Sequence, residues 1–205
     1  MRLLILLAAS LFPPQPVSLE CANTASAQTD SVSGPGGVAA VLKVSSEDDY
    51  SKDSHLCDAR YQLLLVSDAG QAPHVVDLLT SDGTYGRTLS LRLGGFSQDG
   101  KRILGTVSEG GKHPFTTLFD YHINEDTVQL LDVTEKFAPV MAASCSATLE
   151  VIGTTGTGAI ALELKSAKPC ASSRRWLLDS SGKRPRPVLQ NVPILSLYEL
   201  KSDPR

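Results

Sequence analysis

A chain of 205 residues with 41% hydrophobic and 20% charged side chains holds enough apolar material for one domain with a core, and 19 basic against 22 acidic residues leave a net charge of −3. That balance carries no electrostatic footprint for nucleic acid or for a polyanionic surface. Aromatic residues at 5% supply few stacking platforms, which counts against polysaccharide and single-stranded nucleic acid as ligands.

The chain opens with Met1-Arg2, an apolar run from Leu3 to Phe12 and a polar tract ending in Ala25-Ser26-Ala27. A positive start, a short apolar core and a small-x-small end predict a secretory signal peptide over residues 1–27, cleaved after Ala27, so the protein is expected to be exported, periplasmic or secreted. Ten apolar residues are too few to span a bilayer, and no later stretch reads as a transmembrane segment. Glu20 stands before Cys21 where a lipoprotein needs a small residue. Residues 28–37 are small, polar and rich in glycine, which predicts a flexible leader. The fold is expected to start at Val38, as a single β domain over residues 38–200, with 201–205 as a tail.

Val38 to Val44 reads as a strand. The acidic stretch Ser45 to Asp58 follows, with Glu47, Asp48, Asp49, Asp53 and Asp58. It lacks the regular spacing and central glycine of a calcium loop, so a solvated loop is expected and no metal site. Tyr61 to Val66 and His74 to Leu79 read as two more strands, with turn chemistry at Ser67-Asp68-Ala69-Gly70 and Ser81-Asp82-Gly83.

The clearest pattern follows. Leu89, Leu91 and Leu93 alternate with Ser90, Arg92 and Gly94. Ser97, Asp99 and Gly100 then supply a turn, and Ile103 to Val107 resumes the extended period. Phe115, Thr117, Phe119, Tyr121 and Ile123 fall on one face of a third strand, Asn124-Glu125-Asp126 turns it, and Val128 to Val133 makes a fourth. Thr134 to Ser146 has a brief helical spacing that Pro139 limits to about one turn. A third, less regular unit has strands at Thr148 to Gly153, Ala159 to Lys165, Arg174 to Asp179 and Val188-Leu189, and Val192 to Leu200 adds a last one. Ala59 to Ser67 lies over Gly100 to Ser108 at an offset of about 41 residues, close to a propeller-blade period.

Phe96-Ser97-Gln98-Asp99-Gly100-Lys101-Arg102-Ile103 resembles the F-S-P-D-G-K-x-I signature of TolB-like and WD40-like β-propeller repeats, with Gln98 in place of the usual proline. The resemblance covers one unit, residues 88–133, and implies blade-like sheets of four strands. Propellers have about four to eight blades, and this chain has residues for three. The expected class is therefore all-β, built of antiparallel four-stranded blade-like meanders, as a partial β-propeller or a β-sandwich. Completion of the ring or core by a second chain would make it an oligomer.

After cleavage three cysteines remain, and an oxidising compartment favours one bond among them. Cys145 and Cys170 flank one predicted hairpin and are expected to pair, with Cys57 left over.

Few residues suggest chemistry. A strand running into Gly153, Gly156 and Gly158 resembles a dinucleotide-binding turn, but Ile160, Leu162 and Leu164 alternate as in a strand where that site needs a helix. A hairpin is expected and no cofactor. His55, His74, His113 and His122 are scattered and no G-x-S-x-G is present, so no catalytic set stands out. Arg174, Arg175, Lys183, Arg184 and Arg186 crowd the third unit beside the only tryptophan, Trp176, and form the candidate binding patch for an acidic partner, such as a protein, or for a phosphate. The expectation is an exported binding or scaffold module; the alternative is an exported hydrolase or lyase with a loop-built site from residues such as His74, Asp77, His113 and Asp120.

Overall fold

Alternation of inward and outward side chains sorts the chain into three antiparallel sheets stacked face to face. The computed structural model describes residues 17–20, 25–49, 56–67, 71–84, 88–110, 115–141, 147–166, 171–179, 184–189 and 191–198. Val17–Glu20 (β1), Ala25–Gln28 (β2) and Val32–Ser33 (β3) precede a short 3-10 turn at Pro35–Gly37. The first long strands are Val38–Asp49 (β4), Leu56–Ser67 (β5) and His74–Thr84 (β6). Thr88–Phe96 (β7), Arg102–Glu109 (β8), Phe115–His122 (β9) and Thr127–Asp132 (β10) form the second group, followed by a helical turn at Val133–Phe137 (α1). Thr148–Thr155 (β11), Ile160–Lys165 (β12), Arg175–Leu178 (β13), Arg186–Pro187 (β14) and Ile194–Ser196 (β15) complete the third.

The sheets run β2-β4-β5-β6 with β3 also on β4, then β1-β7-β8-β9-β10, then β14-β13-β12-β11-β15. Each is a meander whose first long strand carries short extra strands on its outer edge, β2 and β3 on β4, β1 on β7 and β15 on β11. The expected all-β, antiparallel class is what the structure shows. β5 and β8, which carry the 41-residue offset, both take second place in their meanders.

Two apolar layers hold the stack. Leu42, Tyr61 and Leu63 of the first sheet pack with Leu91, Phe96, Phe119 and Tyr121 of the second. Leu104, Leu118 and Phe137 pack with Ile160, Leu162 and Trp176 of the third. The middle sheet is thus covered on both faces, and every residue from Ile103 to Val107 is buried. Each large side chain removed from water this way contributes roughly 1.5–3 kcal/mol.

Local chemistry explains the middle hairpin. Ser97 Oγ donates to Asp99 Oδ1 (2.6 Å), which also accepts from the Lys101 amide (3.1 Å), while the Arg102 amide donates back to Ser97 Oγ (3.0 Å). Gly100 sits at φ 69°, a conformation that residues with a Cβ rarely adopt. In α1, Asp132 caps the turn by accepting from the Glu135 amide (2.9 Å), and Val133 and Phe137 are buried.

Three boundaries differ from the sequence reading. The acidic stretch is partly strand: Glu47 pairs with Asp58 and Asp48 with Cys57, because the buried Ser46 and Cys57 carry the inward alternation beyond the apolar run. The turn expected at Ser81-Asp82-Gly83 lies inside β6. Residues 28–37, expected to be a flexible leader, are packed: the Thr29 amide donates to Leu42 O (2.9 Å), and Thr29 Oγ1 accepts from the Leu42 amide (3.1 Å). Gly34 lies so close to Phe96 that a Cβ there would stand 2.6 Å from its ring. Small residues that suggested mobility are what this close approach needs.

Candidate functional site

The third sheet builds the candidate site from its own connectivity. β14 lies on β13 at one edge and β15 on β11 at the other, so the chain between them runs from one edge of the sheet to the other. The crossing is pinned where the Val188 amide donates to Arg175 O (2.9 Å), and it turns where the Val192 amide donates to Leu189 O (3.1 Å). A groove of about 600 Å³ is lined by the polar Glu163, Ser173, Arg174 and Arg175 and by the apolar Val188, Leu189, Val192 and Ile194. Leu189 is 66% exposed.

Arg174 and Arg175 are both exposed. Arg175 faces Glu163 in register across β12 and β13, its Nε 3.5 Å from Glu163 Oε1. Ser173 Oγ donates to Arg175 O (3.0 Å) and accepts from its amide (3.3 Å), which fixes the backbone that carries the two guanidinium groups. An exposed pair at this separation is weak, so the Arg175 fork can exchange Glu163 for another carboxylate at little cost.

The predicted patch is divided by the structure. Arg174 and Arg175 line the groove. Arg184 and Arg186 are exposed along the β14 edge, with Arg186 opposite Leu177. Lys183 lies outside the described residues. Trp176 does not belong to the surface patch, which corrects the sequence expectation: it is 2% exposed, meets Phe137 edge to face at 5.8 Å between centroids, and donates its indole N–H to Ser173 O (2.9 Å). Neighbours along a strand point to opposite faces, so an outward Arg175 turns Trp176 inward. Cys145 and Cys170 lie outside the described residues. Cys57 is fully buried and disulfide-bonded.

A second polar cluster, absent from the sequence reading, joins the middle and third sheets. Arg102 donates through Nε to Asp120 Oδ1 (2.9 Å), through a second nitrogen to Asp120 Oδ2 and through the third to Gly158 O (2.8 Å). Asp120 is 1% exposed, and His122 Nε2 stands 3.4 Å from its Oδ2. Register pairs Arg102 with His122. The signal available in the sequence was Arg102 at the variable position of the propeller-like signature.

Among the described residues, His74, Asp77 and Asp120 of the alternative set have separate partners. Asp77 accepts from Gln62 (2.8 Å), Asp120 is taken by Arg102, and His113 lies outside the described residues. His74 Nε2 meets Asp126 Oδ1 at 3.1 Å on the open surface, where Tyr121 also donates to that oxygen (2.8 Å). These two hydrogen bonds, Tyr121 first, hold the Asp126 carboxyl below the ordinary carboxylate range. Burial, then Asp126, pushes the Tyr121 hydroxyl up to about 12.

The glycine-rich segment is a hairpin: Thr155 accepts from the Gly158 amide (2.9 Å), and β12 follows as a strand where a dinucleotide site needs a helix. Among the described residues no group of three His, Cys, Asp or Glu is placed to hold a metal ion, and no helix is long and apolar enough to cross a membrane. Comparison of the chain with family models, with curated proteins and with solved structures finds no match.

Proposed function

We propose that this chain is an exported, β-propeller-like binding module, and that the groove on its third sheet holds an extended acidic segment of a partner protein. The observation that carries the reading is the pairing of two exposed arginines with an apolar wall in one groove. Its volume falls within the roughly 300–1,000 Å³ of ordinary ligand sites. Arginine forks take carboxylates in two parallel hydrogen bonds, and the apolar wall removes a neighbouring side chain from water. Arg184 and Arg186 extend the positive field along the next strand. The hydrolase or lyase reading draws less support, since the exposed contact of His74 with Asp126 involves none of the groove residues.

The test is calorimetric titration of a twelve-residue peptide alternating Glu with Leu. The expected result is binding that weakens with added salt and falls about tenfold or more, roughly 1.4 kcal/mol or more, in Arg174→Glu/Arg175→Glu. Arg60→Glu, a charge reversal at the exposed Arg60 to Asp77 pair on another sheet, should leave affinity unchanged. Absence of binding, or equal binding by the double variant, overturns the proposal.

A further inference from the structure

β6 closes one edge of the first sheet, and its two faces meet different surroundings. Val76 and Leu78 point inward and pack in the layer between the first and second sheets. Val75 and Asp77 point the other way, with Val75 49% exposed and the Asp77 side chain 64% exposed. Register sets Leu64 beside Val75, Val41 beyond Leu64, and Gln62 beside Asp77. Together with the exposed Val66, the next outward residue of β5, these side chains form an apolar patch with Asp77 on its rim. The Asp77 carboxylate is loosely held: it accepts from Gln62 (2.8 Å), and Arg60 Nε stands 3.9 Å away. Among the described residues this outer face carries Glu47, Asp58 and Asp77 against Lys43 and Arg60.

The opposite end of the stack presents the complement. Leu162, Leu164 and Trp176 pack toward the middle sheet, so their neighbours Glu163 and Arg175 face away from it. Arg174 and Arg175 are exposed there, as are Leu189 and, on β14, Arg186. Glu163 is the one carboxylate among the groove residues. A strand face that sets a carboxylate next to an exposed valine matches a groove that sets arginine forks next to an apolar wall. One molecule cannot bring the two together, because the middle sheet lies between the sheets that carry them. A second copy can.

We propose that the partner seated in the groove is a second copy of this chain, whose β6 face places Asp77 on the Arg174 and Arg175 guanidinium groups and Val75 against Leu189, so that copies associate head to tail. Arg175 exchanges Glu163 for the incoming Asp77, and Asp77 exchanges Gln62 for Arg175. Val75 and Val66 leave water at the same contact. Because the two surfaces face opposite ways, each pair of copies leaves one of each open. Association therefore continues beyond a dimer, closing a ring or extending as a chain according to the rotation between copies. This self-contact rests on the groove's taking acidic segments, as the proposed function has it, and names the partner.

The test is sedimentation velocity on the purified full chain at rising concentration, up to millimolar protein. The average mass is expected to climb past that of a dimer, and to fall with added salt or with the alternating Glu/Leu peptide, which competes for the groove. Val75→Ser/Asp77→Asn and Arg174→Glu/Arg175→Glu should each need at least about tenfold more protein to associate. Mixed in equal amounts, the two variants should form a dimer and nothing larger: the first supplies an intact groove, the second an intact β6 face, and both remaining surfaces are altered. Val75→Ser/Asp77→Asn should still bind the peptide, which shows that its groove is folded. A chain that stays monomeric yet binds the peptide overturns the self-contact and leaves the proposed function standing. A monomer that binds no peptide overturns both. Association that either variant leaves intact, or a mixture that forms no dimer, overturns the self-contact.

Discussion

Two arginine–carboxylate pairs of similar composition have opposite settings in this protein. Arg102 and Asp120 meet between sheets, with side chains 12% and 1% exposed and all three guanidinium nitrogens engaged. Arg175 and Glu163 meet on an outer face at 3.5 Å, with the arginine 60% exposed. The first pair is desolvated and committed, so it fixes how the middle and third sheets sit. The second is hydrated and loosely held beside an apolar groove, so its partner can be exchanged. Residue type alone does not separate a committed pair from an exchangeable one here; burial does.

Breaking the buried pair has the largest expected effect. Asp120→Ala leaves the Arg102 guanidinium without its carboxylate and should cost about 3–5 kcal/mol, read by urea denaturation. Arg102→Met combined with Asp120→Leu should cost less than Asp120→Ala, because no buried charge is then left alone. A double variant at least as unstable as the single one would show that the pair is not the source of the loss.

The turn that delivers Arg102 comes next. Ser97→Ala removes the hydroxyl that accepts from the Arg102 amide and donates to Asp99, with an expected cost of about 1 kcal/mol. The Ser97 hydroxyl and then the Lys101 amide hold the Asp99 carboxyl below its ordinary value. Its stabilising contribution is therefore present above about pH 4 and is lost as pH falls through the lowered value. In Ser97→Ala the acid limb of the stability curve should be shallower.

Tyr121 gives a smaller effect at the opposite end of the pH scale. Its hydroxyl is raised from 10.0 to about 12, so the fold favours the protonated form. That contribution is complete below pH 10 and is lost between about 10 and 12. Tyr121→Phe should flatten this alkaline limb in denaturation measured from pH 8 to 12. Smallest of all, Glu163→Gln should change stability by less than about 0.5 kcal/mol. Removing the groove's resident carboxylate should at the same time tighten acidic-peptide binding about threefold.

Local patterns were legible in the sequence where neighbours in the chain are neighbours in space. The Ser97 to Gly100 turn, the four strands around it and the strand after the glycine-rich turn all stand where period and turn chemistry placed them. What depends on distant partners was not legible. Arg102 finds Asp120 across 18 positions through strand register, which composition does not encode. Trp176 stands between arginine-rich segments yet faces inward, and its companions in sequence are not its companions in space. Val188 and Leu189 read as a strand, but they wall the groove because their chain must travel from β14 to β15. The small residues at 28–37 suggested slack, although Gly34 is small because Phe96 lies against it.

Amide chemical-shift mapping during titration with the alternating Glu/Leu peptide tests the contrast between the two arginine pairs most directly. Shifts are expected to concentrate at Ser173–Arg175 and at Val188, Leu189, Val192 and Ile194, with the amides of Arg102, Asp120 and Gly158 unmoved. Shifts centred on Arg102 and Asp120, or no shifts at the groove at millimolar peptide, would contradict that contrast.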